Sequence, residues 1–256
     1  MPILRIIKSA TNINFMRIKK LTLFVSIILF LLSLSLIFIK GLNLGIDFTG
    51  GSLIEVRFKE NIDLNNLSDE SVEYRRAEFV GPKVGGELVN AGIIAVIFSL
   101  IGILIYIWIR FQWNFAIGAI IALVHDVILT LGFFSVLQLE FNLATVAAVL
   151  TIAGYSINDT VVIYDRIRDT MRKYKQITFD KVINISLNGT LSRTLTTSLT
   201  TLLALIALYT FGGIVISSFI IALIWGVLIG TYSSVYVASP ILTYLKQDNR
   251  QIKDGN

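Results

Sequence analysis

Six long apolar stretches punctuate the chain, at about residues 21–39, 88–109, 115–137, 143–163, 192–211 and 214–238. Each has roughly the 20 residues that a helix rising 1.5 Å per residue needs to cross a hydrocarbon layer about 30 Å thick. The pattern predicts six membrane-spanning helices. The segments between them are uneven. Turns at 138–142 and 212–213 make spans 3–4 and 5–6 tight antiparallel hairpins, with Gly212-Gly213 supplying the permissive backbone of the second. Residues 40–87 form the one sizeable segment on the side of the first loop. Within it, Ser52–Phe58 alternates apolar and polar positions as a half-buried strand does, and Tyr74–Val80 reads as a second strand stopped by Gly81-Pro82. Residues 60–73 hold five acids and little to bury, so the 48-residue loop is marginal as an independent domain. On the opposite side, 164–191 is the one long connection. There Thr178 is expected to cap a short basic helix lying on the membrane surface, with Phe179, Val182, Ile183 and Ser186 on one face.

Composition agrees with the pattern. Apolar residues make up 55% of the 256 and charged residues 15%, against about 25% in soluble domains, which excludes the soluble globular and disordered classes. The net charge of +5 reflects orientation. Residues 1–20, 110–114, 164–193 and 239–256 together hold 16 Lys/Arg, whereas 40–87 holds six, beside nine acids. Lys/Arg excess marks the cytoplasmic side, so both termini are expected in the cytoplasm: residues 1–20 as the N-terminal segment, 40–87 as the external domain, 88–238 as the bundle of spans 2–6, and 239–256 as the tail. Scattered basicity of this kind excludes nucleic acid as a partner. The first apolar run is about 19 residues, longer than the 7–15 of a signal peptide, and it ends Phe38-Ile39-Lys40 without a small-residue cleavage site, as an uncleaved anchor does. With no cysteine and one histidine, disulfides, thiolate chemistry and a clustered metal centre are excluded, and no metal or cofactor is expected. No Gly-Lys-Ser/Thr string closes a phosphate loop, and no nucleophile–base pair points to an enzyme.

Charges inside spans cost about 2.5–3.5 kcal/mol each on insertion scales. Asp126 lies in span 3 beside His125, Asp159 in span 4 about four residues from its cytoplasmic end, and Arg193 opens span 5. Spans 4 and 5 run in opposite directions, so Asp159 and Arg193 fall at similar depth. Thr194, Thr196, Thr197, Ser198, Thr200 and Thr201 follow, and positions 193, 197, 200 and 201 share a helix face that would serve as a hydroxyl relay for protons. A second reading stays open on the residues alone: Arg193 snorkels to headgroups, Asp159 pairs locally, and the threonines let helices approach. His125 reads as a packed polar residue, and Glu140 as solvated in an external turn.

Five strings go further: GLNLGIDFTGG at 41–51, EFVGPKVGGE at 78–87, GYSINDTVVIYDRIR at 154–168, SRTLTTSLTT at 192–201 and GTYSS at 230–234. In this order they resemble the SecF family, the smaller subunits of the bacterial SecD–SecF protein-export complex. The resemblance implies an all-α polytopic membrane protein, six transmembrane helices forming half of a resistance-nodulation-division-like transporter, with a small α/β-type external loop. It further implies a bacterial cytoplasmic (inner) membrane location, pairing with SecD in a twelve-helix arrangement, and work beside the SecYEG translocon, with YajC a further companion. The implied task is to assist export of unfolded preproteins with the proton motive force, in a setting of membrane lipid. Asp159 then matches the family's membrane carboxylate, Arg193 its arginine partner and Asp126 the third-span aspartate, with Thr197, Thr200 and Thr201 along the proton pathway. Gly45, Asp47, Gly50, Gly51, Gly81, Gly85 and Gly86 are the external-loop motif. One departure stands out: 15 residues separate Phe58 from Tyr74, where the family has a complete small α/β domain. The loop is therefore shortened, by natural reduction, gene defect or engineering. The alternatives to proton-driven export are a stand-alone transporter of the same superfamily and a structural scaffold without proton coupling.

Overall fold

The computed structural model describes residues 11–58 and 72–245. The acidic stretch of the first loop lies for the most part outside the described residues. Among the described residues six helices are long and apolar enough to cross a membrane. They are α1 (Lys19–Lys40), α3 (Pro82–Arg110), α4 (Trp113–Leu137), α5 (Leu143–Lys173), α6 (Phe179–Phe211), and a last span made of α7 (Ser217–Ser233), a π-helical turn (Ser234–Ala238) and α8 (Ser239–Leu245). Half or more of the most apolar window of α4, α5 and the last span is buried, against 6% in α1 and α3. The bundle therefore has a three-helix centre, and α1 and α3 are peripheral.

The centre is organised by a ladder between α5 and the last span, which run in the same direction. Ile152, Ser156, Thr160 and Tyr164 follow at four-residue intervals on α5, and Gly226, Gly230, Ser234 and Ala238 face them. A Cβ at Gly226 would run into the Ile152 side chain, and one at Gly230 would lie 3.0 Å from Ser156 Cβ. Thr160 and Ser234 share a hydrogen bond of 2.9 Å, and Tyr164 Oη donates to Ala238 O at 3.0 Å. Small residues every four positions let two backbones approach closely, the main route to tight packing where lipid removes the hydrophobic drive between helices. The π turn follows from Pro240. In a regular helix its ring would clash with the carbonyl of Tyr236, so the chain widens one turn earlier. Ser239 Oγ then donates to Ser234 O at 2.8 Å.

The connection expected over 164–191 is corrected here. Helix α5 continues to Lys173 and α6 begins at Phe179, so residues 174–178 alone link them. Thr178 occupies the N-cap position of α6 without a side-chain cap bond. Val182, Ile183 and Ser186 are buried in the bundle, so this face has protein partners and does not lie on the membrane surface. Ser186 Oγ reaches Arg166 O at 3.3 Å and Thr170 Oγ1 at 2.9 Å, which sets the α5–α6 register.

At the end of the bundle that carries the first loop, β1 (Asn43–Leu44) leads into a one-turn helix α2 (Ile46–Thr49). Strands β2 (Gly51–Phe58) and β3 (Val72–Val80) pair antiparallel from Gly51↔Val80 to Phe58↔Val72, with a bulge at Glu55/Val56. Both expected strands thus form, each starting one or two residues earlier. β1 also pairs in parallel with β4 (Glu140–Phe141), fastening the first loop to the turn before α5.

The ladder predicts an asymmetric response to bulk. Gly230→Leu should lower unfolding stability in detergent by about 2 kcal/mol or more, from overpacking against Ser156. Gly154→Leu, on the same α5 but with open space at its Cβ, should change it by less than about 0.5 kcal/mol.

Candidate functional site

Asp126 on α4 is completely buried, and three neighbours address it. Ser156 Oγ from α5 and Ser233 Oγ from α7 each donate to Oδ2 at 2.6 Å, while His125 Nδ1 lies 3.0 Å from Oδ1. A carboxylate bound from three helices at the centre of the bundle ties them together, because any separation leaves a buried polar group unsatisfied. His125 is a packed polar residue, as expected, with Nε2 buried and unpartnered; the described residues contain no cluster of groups able to hold a metal.

Asp159 follows Ser156 by three residues on α5. It is 3% exposed, and its Oδ2 is buried without a hydrogen-bond partner. The register set by Ser186 and Arg166 carries Asp159 to the level of Arg193 and Thr194 on α6. Arg193 acts on Asp159 electrostatically, though among the described residues the two make no ion pair. Thr194 is also buried, and its Oγ1 is likewise unpartnered. Two orphaned polar groups thus meet the same depth of the membrane from facing helices.

The structure separates the expected hydroxyl row from this point. Positions 193, 197, 200 and 201 do share a face, but Arg193 and Thr200 are exposed and Thr197 and Thr201 half-buried. Their hydroxyls turn back on their own helix: Thr197 to Arg193 O at 2.9 Å, Thr200 to Thr196 O at 2.9 Å, Thr201 to Thr197 O at 2.9 Å. The buried hydroxyls of α6 are Ser186, Thr190, Thr194 and Ser198, again four residues apart, and Ser198 bonds Thr231 on α7 at 2.7 Å. Sequence reasoning missed this row, and it missed Ser156 and Ser233. A signal was present in the four-residue spacing of Gly226, Gly230, Ser234 and Ala238, a close-packing row that meets Ser156 at Gly230 and has Ser233 as the neighbour of Ser234.

The glycine-rich motif of the first loop forms a cradle against the bundle. Asp47 Oδ2 accepts the amide of Leu143 at 2.9 Å, capping α5 beside the capping box of Asn142 and Thr145. Gly50 holds φ +70° and Gly51 φ +123°, conformations that side chains rarely adopt. Gly85 on α3 lies so close that a Cβ would be 3.1 Å from Phe48 O and 3.2 Å from Gly50 N. Gly45 donates its amide to Phe141 O at 2.9 Å and packs on Glu140. Open space surrounds Gly81 and Gly86. Glu140 differs from the expectation of a solvated turn residue: it is half-buried and its Oε1 is enclosed without a partner, because β4 pairs with β1 over Gly45.

A polytopic helical membrane protein, with buried carboxylates at the seams of its central spans and a glycine-rich cradle at one end, is the class this architecture defines. The family model "Protein export membrane protein SecD/SecF, C-terminal" matches residues 60–248, and the "SecD/SecF GG Motif" model matches 35–62. The protein translocase subunit SecF of Rickettsia rickettsii (strain Sheila Smith) is 44% identical over 289 residues, covering 94% of each chain, and that of Rickettsia akari (strain Hartford) is 43% identical with the same coverage. The crystal structure of SecDF, a translocon-associated membrane protein from Thermus thermophilus, superposes with a TM-score of 0.84 at 35% identity over 92% of this chain. SecDF in its super-membrane-facing form gives 0.79 at 33% identity over 96%. This chain spans 39% and 40% of those two SecDF chains. The chain belongs to the SecD/SecF family of protein-export membrane proteins. The Rickettsia alignments run over 289 residues, more than the 256 of this whole chain, so those relatives carry residues that this chain lacks.

Removing one donor to the enclosed Asp126 carboxyl should be costly. Ser233→Ala is expected to lower unfolding stability by about 2 kcal/mol, read from chemical unfolding in detergent. Thr200→Ala, whose hydroxyl serves only its own helix, should stay within about 0.5 kcal/mol of wild type.

Proposed function

We propose that this chain is a SecF-type subunit that assembles with a SecD-type partner in the bacterial cytoplasmic membrane and assists protein export by cycling protons. The observation that carries the reading is Asp159, a buried carboxyl with an unpartnered oxygen at the depth of Arg193. Intramembrane ionisable groups are functional by default, and one held without a partner is free to exchange a proton. Asp159 takes and releases the proton, and Arg193 stabilises its ionised form. Asp126, enclosed by Ser156, Ser233 and His125, anchors the helices on either side of that event. Proton transfer across 100 mV supplies about 2.3 kcal/mol per charge, enough to bias two arrangements that differ by a few kcal/mol.

The orientation that fits has both termini in the cytoplasm, with the Lys/Arg-poor loop of 40–87 outside. The partners that fit are SecD, beside the SecYEG channel with unfolded preproteins as cargo. The SecDF neighbours support the pairing, since this chain accounts for about two fifths of each and leaves a second half to be supplied. We place the residues that the Rickettsia relatives have in excess in the first loop, where 15 residues separate Phe58 from Tyr74. That shortening favours a second reading, a scaffold that stabilises the translocase without moving protons.

The two readings separate in cells depleted of their own SecF, with SecD present. This chain and its Asp159→Asn variant are supplied at matched membrane levels, and export of a secreted reporter is followed. Proton-coupled assistance predicts that the chain restores export and that Asp159→Asn reduces it at least about tenfold while still assembling with SecD. A silent Asp159→Asn variant contradicts it and favours the scaffold.

A further inference from the structure

Beside the cytoplasmic ends of α5 and α6 lies a cleft of about 570 Å³ that the proton reading leaves unused. One wall is the N-terminal strap, residues 11–14, held on α6 by side-chain amides. Asn188 both accepts the Ile13 amide at 2.9 Å and donates to Ile13 O at 2.8 Å, and Asn184 accepts the Met16 amide at 3.1 Å while donating to Asn14 Oδ1 at 2.9 Å. The opposite wall carries two cations, Arg166 and Lys181. Gly189 makes room for the first: a Cβ there would lie 3.2 Å from Arg166 Nε and 3.5 Å from Nη2, so the guanidinium rests against the α6 backbone.

Among the described residues no carboxylate lines the cleft. Of the neighbouring acids, Asp165 binds Arg110 at 2.6 Å and Asp180 binds Lys19 at 2.7 Å, while the exposed Asp169 does not line the cleft and makes no ion pair with Arg166 among the described residues. Among the described residues Arg166 and Lys181 have no ion pair, and both are exposed. Arg166 is seven residues past Asp159 on α5, about 10 Å further toward the cytoplasm at 1.5 Å per residue, which is headgroup depth. Two unneutralised cations with the free groups of Thr11 and Asn12, in a concave site at that depth, match a phosphate-bearing anion.

We propose that this cleft binds a phosphate-bearing anion between the N-terminal strap and the α5–α6 hairpin, with Arg166 and Lys181 as its cationic ligands. The source is either the headgroup of an anionic phospholipid or a soluble phosphate. The site depends only on membrane placement and stands apart from the proton reading.

The test uses the full-length chain in neutral detergent and native mass spectrometry. Retention of dioleoylphosphatidylglycerol is compared with that of dioleoylphosphatidylcholine, and inorganic phosphate is titrated separately. The chain should hold phosphatidylglycerol about tenfold more tightly, and the Arg166→Gln/Lys181→Gln pair should lose that preference. Lys20→Gln/Arg172→Gln, which removes the same charge outside the cleft, should keep it. Variant-sensitive binding of inorganic phosphate without a lipid preference also supports the site and assigns it to a soluble ligand. If the double variant does not fold, Lys181→Gln alone, on an exposed side chain, should weaken binding about threefold. Absence of both preferences, or equal loss in the two double variants, overturns the proposal.

Discussion

Close approach of α5 to the last span is the constraint on which the rest of the bundle depends. Gly226, Gly230, Ser234 and Ala238 remove side-chain bulk at every fourth position, and Ile152, Ser156, Thr160 and Tyr164 fill the space. With the backbones this close, Ser156 and Ser233 converge on one oxygen of Asp126, and α4 is drawn into the same seam. The ladder also fixes the rotation of α5. Asp159 precedes the Thr160 rung by one residue, about 100° around the helix, which turns it out of the ladder toward the side of α6. A carboxyl that would otherwise bond within the seam is thereby left with an unpartnered oxygen. The same packing that satisfies Asp126 leaves an oxygen of Asp159 unsatisfied.

Helix α5 is tied at both ends to the parts of the molecule that reach outside the bundle. Its N-terminus is capped by Asp47 of the first-loop motif. Near its C-terminal end Asp165 binds Arg110 of α3 at 2.6 Å, and Arg110 and Arg168 both lie over the Phe111 ring, at 5.0 and 5.7 Å. α3, otherwise largely exposed, is gripped at its outer end by the approach of Gly85 to residues 47–50. The strand pair β2–β3 therefore hangs between a peripheral span and the cap of the central one.

Six spans, two first-loop strands and the shared depth of Asp159 and Arg193 were legible in the chain, because apolar runs, period-two alternation and antiparallel connection lengths are local signals. The true length of α5 and α6 was not. Arg166, Arg168, Arg172 and Lys173 end the apolar run, while the backbone continues as helix because Ile167, Val182 and Ile183 bury against one another's helices. The row of threonines after Arg193 was correctly placed on one face, yet nothing in the chain says whether a face looks inward. Leu205, Ser198 and Thr194 settle that in the folded bundle by being the buried ones. Glu140 was misjudged because its enclosure comes from a strand pair with residues almost a hundred positions away.

The central claim is that α5, locked on the last span, presents Asp159 as an exchangeable proton site. The most direct measurement is proton flux into vesicles containing this chain and a SecD-type partner, followed with an internal pH dye under an imposed potential. The account predicts flux with the wild-type chain and its loss with Asp159→Asn, while Thr200→Ala conducts normally. Undiminished flux with Asp159→Asn would contradict it.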